Sequence, residues 1–576
     1  MWTTFKGKLK SAMCKSIPKG KIKNHTQFKS KFPIPESTMR KIKKKNRSWQ
    51  RYVETKDGKK YNEYCRNRNQ VKNELKRLRR QHEKGIVNKS KQNPKAFWNF
   101  VNKNLKSKGK IPELIKEDGS KTNGDKEKAE ALLHFFTSVF TKEDQDEDIP
   151  EFQNRTEHTM EEINFDREDI KKRLKNLNGS KSPGPDEIHP RVLKELAEEV
   201  TEPLYILFKQ SREECKIPQD WKIAKITAIH KKDAKKDPNN YRPVSLTSVV
   251  CKLMEGIVRD KITEHMQNHK LFSNKQYGFI KGRSTMTQLI MVMNKWSEIL
   301  DRGGIIDAIY MDFQKAFDKV PHKRLVSKLA KYGIDENTAK WIEDFLSNRR
   351  QKVSVNGKES GWGEVTSGIP QGSVLGPLLF VLFINDMPDN VISNIFLFAD
   401  DTKIFNEVTE ETGIKVLQED INRLENWAKI WKLSFHPKKC KVLGIGRKQR
   451  DKNKYKMGGK DLEHSNAEKD IGVIIDEKLN FREHMNSKIK KANSIVGIIR
   501  RSFITLGGKD MTKLFNTMVR PHLEYCNSVW KPNKKMDMAS IEAVLNRTTK
   551  MIPKIGHLDQ IERLKKLEIP CLAFRR

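Results

Sequence analysis

Residues 395–405 read IFLFADDTKIF, two adjacent acids between apolar runs of strand length. Neighbouring side chains on a strand face opposite sides, so Asp400 and Asp401 cannot serve one point unless the chain turns between Ala399 and Thr402. The pattern predicts a buried hairpin with carboxylates at its tip. At close range, two carboxylates in a protein interior repel by roughly 4 kcal/mol at an effective dielectric near 20. A chain that puts them there must also offset that repulsion.

A second segment raises the same question. In IIDAIYMDFQKAFDKVPH, residues 305–322, an apolar strand runs directly into Asp312, and Asp318 follows six residues later. Alone, either acid reads as a helix cap or a turn former. If the strand ending at Asp312 lies beside the strand ending at Phe398, Asp312 and Asp400 converge on one point. Carboxylates sharing a site are either partly protonated or bridged by hard cations. A protonated pair suits glycoside or peptide hydrolysis, whereas magnesium, completing its shell from water and phosphate, suits phosphoryl transfer. The charge favours the second. With 115 Lys and Arg against 74 Asp and Glu, the chain carries a formal +41, which repels itself unless a polyanion such as nucleic acid lies against it.

The rest of the chain sets the organisation. Its 576 residues, 36% hydrophobic, suffice for three or four domain-sized units. Seven scattered cysteines without paired spacing fit reduced intracellular thiols. The longest apolar run, Val374 to Ile384, falls short of the roughly 20 residues that span a bilayer, and no secretory leader is legible. Residues 1–110 are rich in Lys, Arg, Asn and Gln, with RKIKKKNR at 40–47 and LKRLRR at 75–80. Such a composition predicts a basic, loosely helical and partly disordered arm that contacts nucleic acid or serves nuclear import. Within it, Asn93 as N-cap and Pro94 in the first turn predict a helix over KAFWNFV. AEALLHFFTSVF, 129–140, predicts an amphipathic helix, and NGSKSPGPDE, 178–187, a boundary turn. Ile414, Leu417, Ile421, Leu424, Ala428 and Trp431 recur at alternating steps of three and four, one core-facing stripe of a helix.

FADD after an apolar strand, with MDFQKAFD 88 positions earlier, resembles motifs C and A of reverse transcriptases. SGIPQGSVLGPLLFVLFINDM, 367–387, resembles motif B of the non-LTR retrotransposon enzymes of the LINE type, jockey and CR1-like. The resemblance runs from about 177 to 575 in that family's order. It implies an α+β polymerase right hand: a basic arm over 1–110, a helical extension over 111–176, fingers over 177–300, a palm with an antiparallel sheet over 301–480 and a helical thumb over 481–576. It implies two Mg²⁺ ions, with Mn²⁺ as a substitute, held by Asp312, Asp400, Asp401 and the main-chain carbonyl of Phe313. Lys439 in WKLSFHPKKCKVLGIG is the match for a motif D lysine that protonates the departing pyrophosphate, with Lys438 second. AIHKKDAKKDPNNYRPVSL, 228–246, resembles the fingers hairpin, so Lys231 or Lys232, with Arg242, would grip the triphosphate. The resemblance also implies that Phe317 is a ring under the incoming sugar excluding a 2′-hydroxyl, that the Gln371 amide hydrogen-bonds in the template-side pocket, and that Gly372 lets the backbone approach template and nucleotide. QYGFIKGRST, 276–285, resembles a block that tracks the template strand. KDIGVIID, 469–476, resembles the strand pair linking palm to thumb, and LFNTMVRPHLEYCNSVW, 514–530, the thumb.

The implied reaction is RNA-directed DNA synthesis. Its partners are an RNA template, a DNA primer at a chromosomal target and deoxynucleoside triphosphates, with no membrane. The implied location is the nucleus after a cytoplasmic ribonucleoprotein stage. Glu187 stands where the family commonly has glycine, and Gln314 where it often has serine. Relatives carry an endonuclease ahead of the polymerase. None is legible in the first 110 residues, so the expectation is a truncated copy relying on existing 3′ ends or on a nuclease in trans. Two rivals remain: an intron maturase or telomerase-like polymerase, and a non-catalytic RNA-binding protein from a decayed element.

Overall fold

The strand that ends just before Asp312 lies in the middle of its sheet, while the equally apolar strand Asn394–Phe398 lies at an edge. In the computed structural model, which describes residues 1–18, 32–105, 111–143, 147–231, 233–446, 452–504 and 506–575, the chain is a mixed α+β protein. It divides into two compact units. One comprises Met1–Lys19, Lys110–Gly472 and Asp476–Lys478; the other comprises Gly20–Gly109, Val473–Ile475 and Leu479–Arg576.

The first unit holds two five-stranded sheets, besides a small pairing of Lys456–Met457 with Lys460–Asp461. One is formed by β1 (Ile223–His230), β2 (Tyr241–Leu246), β4 (Arg349–Val355), β5 (Lys358–Glu359) and β6 (Gly363–Val365). Here β1 pairs antiparallel with β2 and parallel with β4. The other contains β3 (Ile306–Met311), β7 (Asn394–Phe398), β8 (Asp401–Glu407) and β9 (Lys441–Ile445), in the order β9-β3-β8-β7, with the short strand Glu463–His464 outside β9. Every residue of β3 except Tyr310 is buried, as a strand flanked on both edges and packed on both faces requires. Its partners fix the register: Ile306 opposes Glu407 and Met311 opposes Thr402 on β8, while Tyr310 opposes Lys441 on β9. The helices Val249–Asn268, Gly376–Phe383 and Glu411–Ile430 contribute to the core beside this sheet. Leu417, Ile421, Leu424, Ala428 and Trp431 of the expected stripe are buried, with Ile414 half-buried against them.

The first helix, α1 (Trp2–Ser16), corrects the picture of a loose arm. Trp2, Phe5, Leu9 and Met13 step along one face at three and four residues; Trp2 and Leu9 are buried in the first unit's core. The Trp2 indole donates to Asp220 at 2.8 Å and meets Trp221 edge-on at 5.4 Å. Mean composition hides such a face because four correctly spaced apolar side chains suffice to dock a short helix.

Among the described residues, the regular structure of the second unit is helical apart from Val473–Ile475. Its N-terminal part is a hairpin of α2 (Glu36–Thr55) and α3 (Gly58–Lys89), reversing at Lys56 and Asp57, followed by α4 (Pro94–Leu105). The Asn93 side chain accepts from the Ala96 amide at 3.1 Å, the cap expected there. Phe97 and Phe100 of α4 lie 5.9 and 4.7 Å from Phe503, at the end of the helix Arg482–Ser502. Residues 514–530 are helical almost throughout, with a π-turn at Phe515–Val519 just before Pro521.

Candidate active site

The turn that carries the paired acids is a two-residue connection. Phe398 on β7 opposes Asp401 on β8, leaving Ala399 and Asp400 to reverse the chain, with Ala399 at φ +55°. Tight hairpins demand such left-handed positions, and alanine adopts them only under external support. Buried Gln276 supplies it: its amide oxygen accepts from the Ala399 amide at 2.9 Å and the Gly278 amide at 2.7 Å. Gly278 must be glycine, because a Cβ there would stand 2.4 Å from the Ala399 nitrogen. In this structure the start of the 276–285 block therefore braces the acid-bearing turn.

Asp312 follows β3 immediately. The strand beside β3 is β8 and not β7, contrary to the pairing assumed from sequence, because the second arm of the hairpin occupies the sheet centre. Convergence survives the correction: Met311 opposes Thr402, so Asp312 emerges at the end of β8 where Asp400 and Asp401 begin. Burial, and then the charge of Asp312, raise the Asp400 carboxyl above the usual carboxylate range, with Lys231 and Arg242 opposing. Asp401 has solvent-exposed surface, yet protein atoms crowd its carboxyl. That crowding, followed by the charges of Asp400, Asp312 and Asp470, pushes it up to about 6.

The neighbouring loop keeps Asp312 in place. The His436 amide donates to the Asp312 carbonyl and the Gln314 amide to the Ser434 carbonyl, both at 2.8 Å, while Phe313 stacks on Phe435 at 4.1 Å. Neither hydrogen bond engages the Phe313 carbonyl. Lys439 follows in the same loop, its ammonium 3.6 Å from Asp312 Oδ2.

Among the described residues, no three His, Cys, Asp or Glu side chains are gathered in an arrangement that could hold a metal ion. The expected set of Asp312, Asp400 and Asp401 is therefore not a closed cage. The donor chemistry still fits a hard cation, since every candidate ligand is a carboxylate or carbonyl oxygen.

Cations surround the acids. Arg242 is exposed on β2 opposite Ile229, and Lys231 follows β1, its amide donating to the Asn240 carbonyl at 2.8 Å. Lys232 lies outside the described residues. Lys315 was not anticipated. Held at φ +50° three residues after Asp312, it bonds the Asn239 carbonyl at 3.3 Å, and burial, with Lys439 and Lys231 nearby, lowers its pKa.

The motif B loop threads between two backbones. Gly372, at φ +134°, would place a Cβ 2.5 Å from the Ser245 carbonyl, and Gly368, at φ +82°, one 2.6 Å from that of Asp318. The close approach at Gly372 is thus made by β2. The Gln371 amide donates to Asp318 Oδ1 at 2.8 Å, and burial pushes that carboxyl to about 6. Half-buried Phe317 stacks on Phe380 at 4.4 Å and 19°.

A buried pair behind the acids also escaped the sequence reading. Lys403, two residues after Asp401 on β8, is ion-paired to Asp470, which also accepts from the Tyr310 hydroxyl at 3.4 Å. A lysine and an aspartate 67 residues apart carry no local signal of pairing.

Residues 229–461 match the family model described as reverse transcriptase (RNA-dependent DNA polymerase). The chain is 28% identical over 427 residues to the RNA-directed DNA polymerase from mobile element jockey of Drosophila melanogaster, covering 70% of this chain and 46% of that protein. It is 27% identical over 408 residues to the probable RNA-directed DNA polymerase from transposon BS of the same organism, covering 67% and 44%. It is also 27% identical over 388 residues to the retrovirus-related Pol polyprotein from type-1 retrotransposable element R1 of Bradysia coprophila, covering 65% and 37%. The chain spans less than half the length of these relatives.

Proposed function

We propose that this chain, whose residues 229–461 match the reverse transcriptase model and resemble non-LTR retrotransposon polymerases, extends a DNA 3′-hydroxyl on an RNA template by phosphoryl transfer. The observation that carries the reading is the register of β3 against β8, which delivers Asp312 to the same sheet end as the Asp400–Asp401 turn. Asp312, Asp400 and the Phe313 carbonyl, with Asp401 beside them, would hold Mg²⁺ or Mn²⁺. When bound, such ions lower the pKa of the attacking hydroxyl and stabilise charge on the leaving oxygens.

The chain's own groups do the rest. Arg242 and Lys231 lie close enough to influence Asp400, as cations that orient a triphosphate would, the guanidinium fork matching phosphate oxygens. Lys439, beside Asp312, is placed to donate a proton to departing pyrophosphate. Phe317, held by Phe380, presents a fixed edge to the sugar, and ribonucleotide incorporation by Phe317→Ala reads that role. Gln371, locked by Asp318, and Gly372, tied to β2, set the floor on which the templating base rests. Residues 177–300, 301–480 and 481–576 then act as fingers, palm and thumb of a right hand, and the setting is target-primed synthesis on nuclear DNA.

Primer extension on poly(rA)/oligo(dT) with Mg²⁺, comparing wild type with Asp400→Asn, tests this. Extension by wild type and its loss in the variant is expected. Equal extension by both, or by neither, overturns the catalytic reading, and retained RNA binding without extension would leave a non-catalytic RNA-binding protein.

No helix among the described residues is long and apolar enough to cross a membrane. The polyanion that the charge of the chain calls for is, in this reading, the template–primer duplex.

A further inference from the structure

The hairpin of α2 and α3 belongs to the second unit and has a construction that packing does not explain. Residues 36–89 contain 19 Lys and Arg against 6 Asp and Glu, a net +13 out of the chain's +41. Among the described residues, three of those cations have a carboxylate partner: Arg40 with Glu36, Arg77 with Glu74 and Arg79 with Glu83. Arg40, Lys43, Lys44, Arg47 and Arg51 are exposed along α2, and Arg66, Arg68, Lys72 and Lys76 along α3. At about 1.5 Å per residue, the 32 residues of α3 make a rod of roughly 48 Å.

The seam between the helices is small and partly polar. Thr38, Ser48, Asn67 and Val71 are buried, with the Asn67 amide donating to the Ser48 hydroxyl at 2.7 Å. The large rings are elsewhere. Trp49, Tyr52, Tyr61 and Tyr64 cluster at the turn end, with centroids 4.8 Å apart for Trp49–Tyr64 and 5.0 Å for Tyr52–Tyr61. Trp49 remains 43% exposed and Tyr61 41%. Lys56 and Arg68 each stand 5.8 Å from a ring of this cluster. A core would bury such rings, and a surface serving only solubility would not carry them.

Exposed aromatic faces interleaved with cations are what an unpaired nucleic-acid strand requires, because its bases are free to stack while its phosphates meet the charges. A duplex offers phosphates but keeps its base faces stacked. We infer that the α2–α3 hairpin is a second nucleic-acid site, binding single-stranded nucleic acid by stacking bases on Trp49 and Tyr61 and running its backbone along α2. This site stands whether or not the acidic centre polymerises.

The test uses the full chain carrying Asp400→Asn, with 15-nucleotide poly(rU), 15-nucleotide poly(dT) and a 15-base-pair duplex as probes in fluorescence anisotropy. Trp49→Ala and Tyr61→Ala are each expected to weaken single-strand binding about 5- to 150-fold, leaving the salt dependence and the duplex affinity unchanged. Trp49→Phe with Tyr61→Phe should restore it. Arg40→Gln with Lys44→Gln and Arg47→Gln should instead flatten the salt dependence on every probe. The relative affinities for RNA and DNA identify whether a transcript or an unpaired DNA strand is the occupant. Unchanged single-strand affinity, an equal loss on duplex, or photocrosslinks from a 4-thiouridine 15-mer falling entirely outside residues 36–89 would overturn the site, the last even for a variant that misfolds. Primer extension by Trp49→Ala with an otherwise native chain reads the polymerase separately, so that neither reading can fail on the other's account.

Discussion

The sheet around β3 and the hairpin of α2 and α3 handle charge in opposite ways. Around β3 the buried charges are individually partnered, Lys403 with Asp470 and Asp318 with the Gln371 amide, while half-buried Asp312 meets the exposed Lys439. Along the hairpin they are many, exposed and largely unpartnered by acids. In the first region a single oxygen out of place leaves an unsolvated charge. In the second, water replaces any one contact at little cost, and the effect belongs to the sum. The difference teaches where single substitutions inform and where only sets of them do.

The comparison breaks most visibly at Lys403. Replacing it with Met leaves Asp470 buried with the Tyr310 hydroxyl as a long, 3.4 Å donor, and the expected loss is about 3–5 kcal/mol in urea unfolding of the first unit. Lys403→Met with Asp470→Leu should recover most of it, since a well-packed apolar pair replaces the ions at little or no cost. By contrast, Lys44→Gln in α2 should change stability by no more than about 0.5 kcal/mol. If both single variants cost the same, burial is not what separates the two regions.

A smaller effect is tied to pH. Asp318 has its folded pKa raised by burial to about 6, with the Gln371 amide and the charges of Lys315 and Arg242 opposing. A carboxyl whose folded pKa lies above its unfolded value stabilises the fold fully below the unfolded value, near 4, and loses that contribution as pH rises through about 6. Wild type should therefore lose up to about 3 kcal/mol across this window relative to Asp318→Asn, whose amide oxygen still accepts from Gln371. Parallel stability curves for the two proteins between pH 4 and 7 would show that Asp318 is ionised throughout. No such pH-dependent difference is expected for Arg47→Gln in the hairpin, where the charge is solvated in both states.

These particulars also show what was legible in the residues. The IFLFADDTKIF hairpin, the strand before Asp312, the helix at Pro94 and the stripe along Glu411–Ile430 were all readable, because each rests on local periodicity or on a turn with few solutions. The neighbour of β3 was not, since which arm of a hairpin takes the sheet centre is decided by long-range packing. Lys315 and Lys403 were missed, and Gln276 was read only within a template-tracking block, for a related reason: each acts on a residue that the fold, and not the sequence, brings close. The burial of α1 was hidden by composition, where four lysines match in number the four side chains that dock it. The ring cluster at the end of the hairpin was invisible because Trp49 and Tyr64 are 15 positions apart.

The smallest effect sharpens the comparison from the side of the backbone, where the two regions ought to agree. Glu187 in the first unit sits at φ +64°, and Lys56 at the hairpin turn sits at φ +53°. Each is a side-chain residue in a conformation that costs L-residues about 1–2 kcal/mol and glycine almost nothing. Glu187 also pairs with Lys10 at 2.7 Å, but with its side chain 77% exposed that contact contributes little. Glu187→Gly and Lys56→Gly should therefore each stabilise their own unit by about 0.5–1 kcal/mol, after the extra freedom glycine gives the unfolded chain is subtracted. Thermal unfolding of the two variants checks it. Equal gains would mean that local strain is indifferent to surrounding charge, leaving burial as the variable that divides the regions. A gain at Lys56 alone would mean that the Lys10 contact, although exposed, anchors α1 more firmly than a solvated ion pair should.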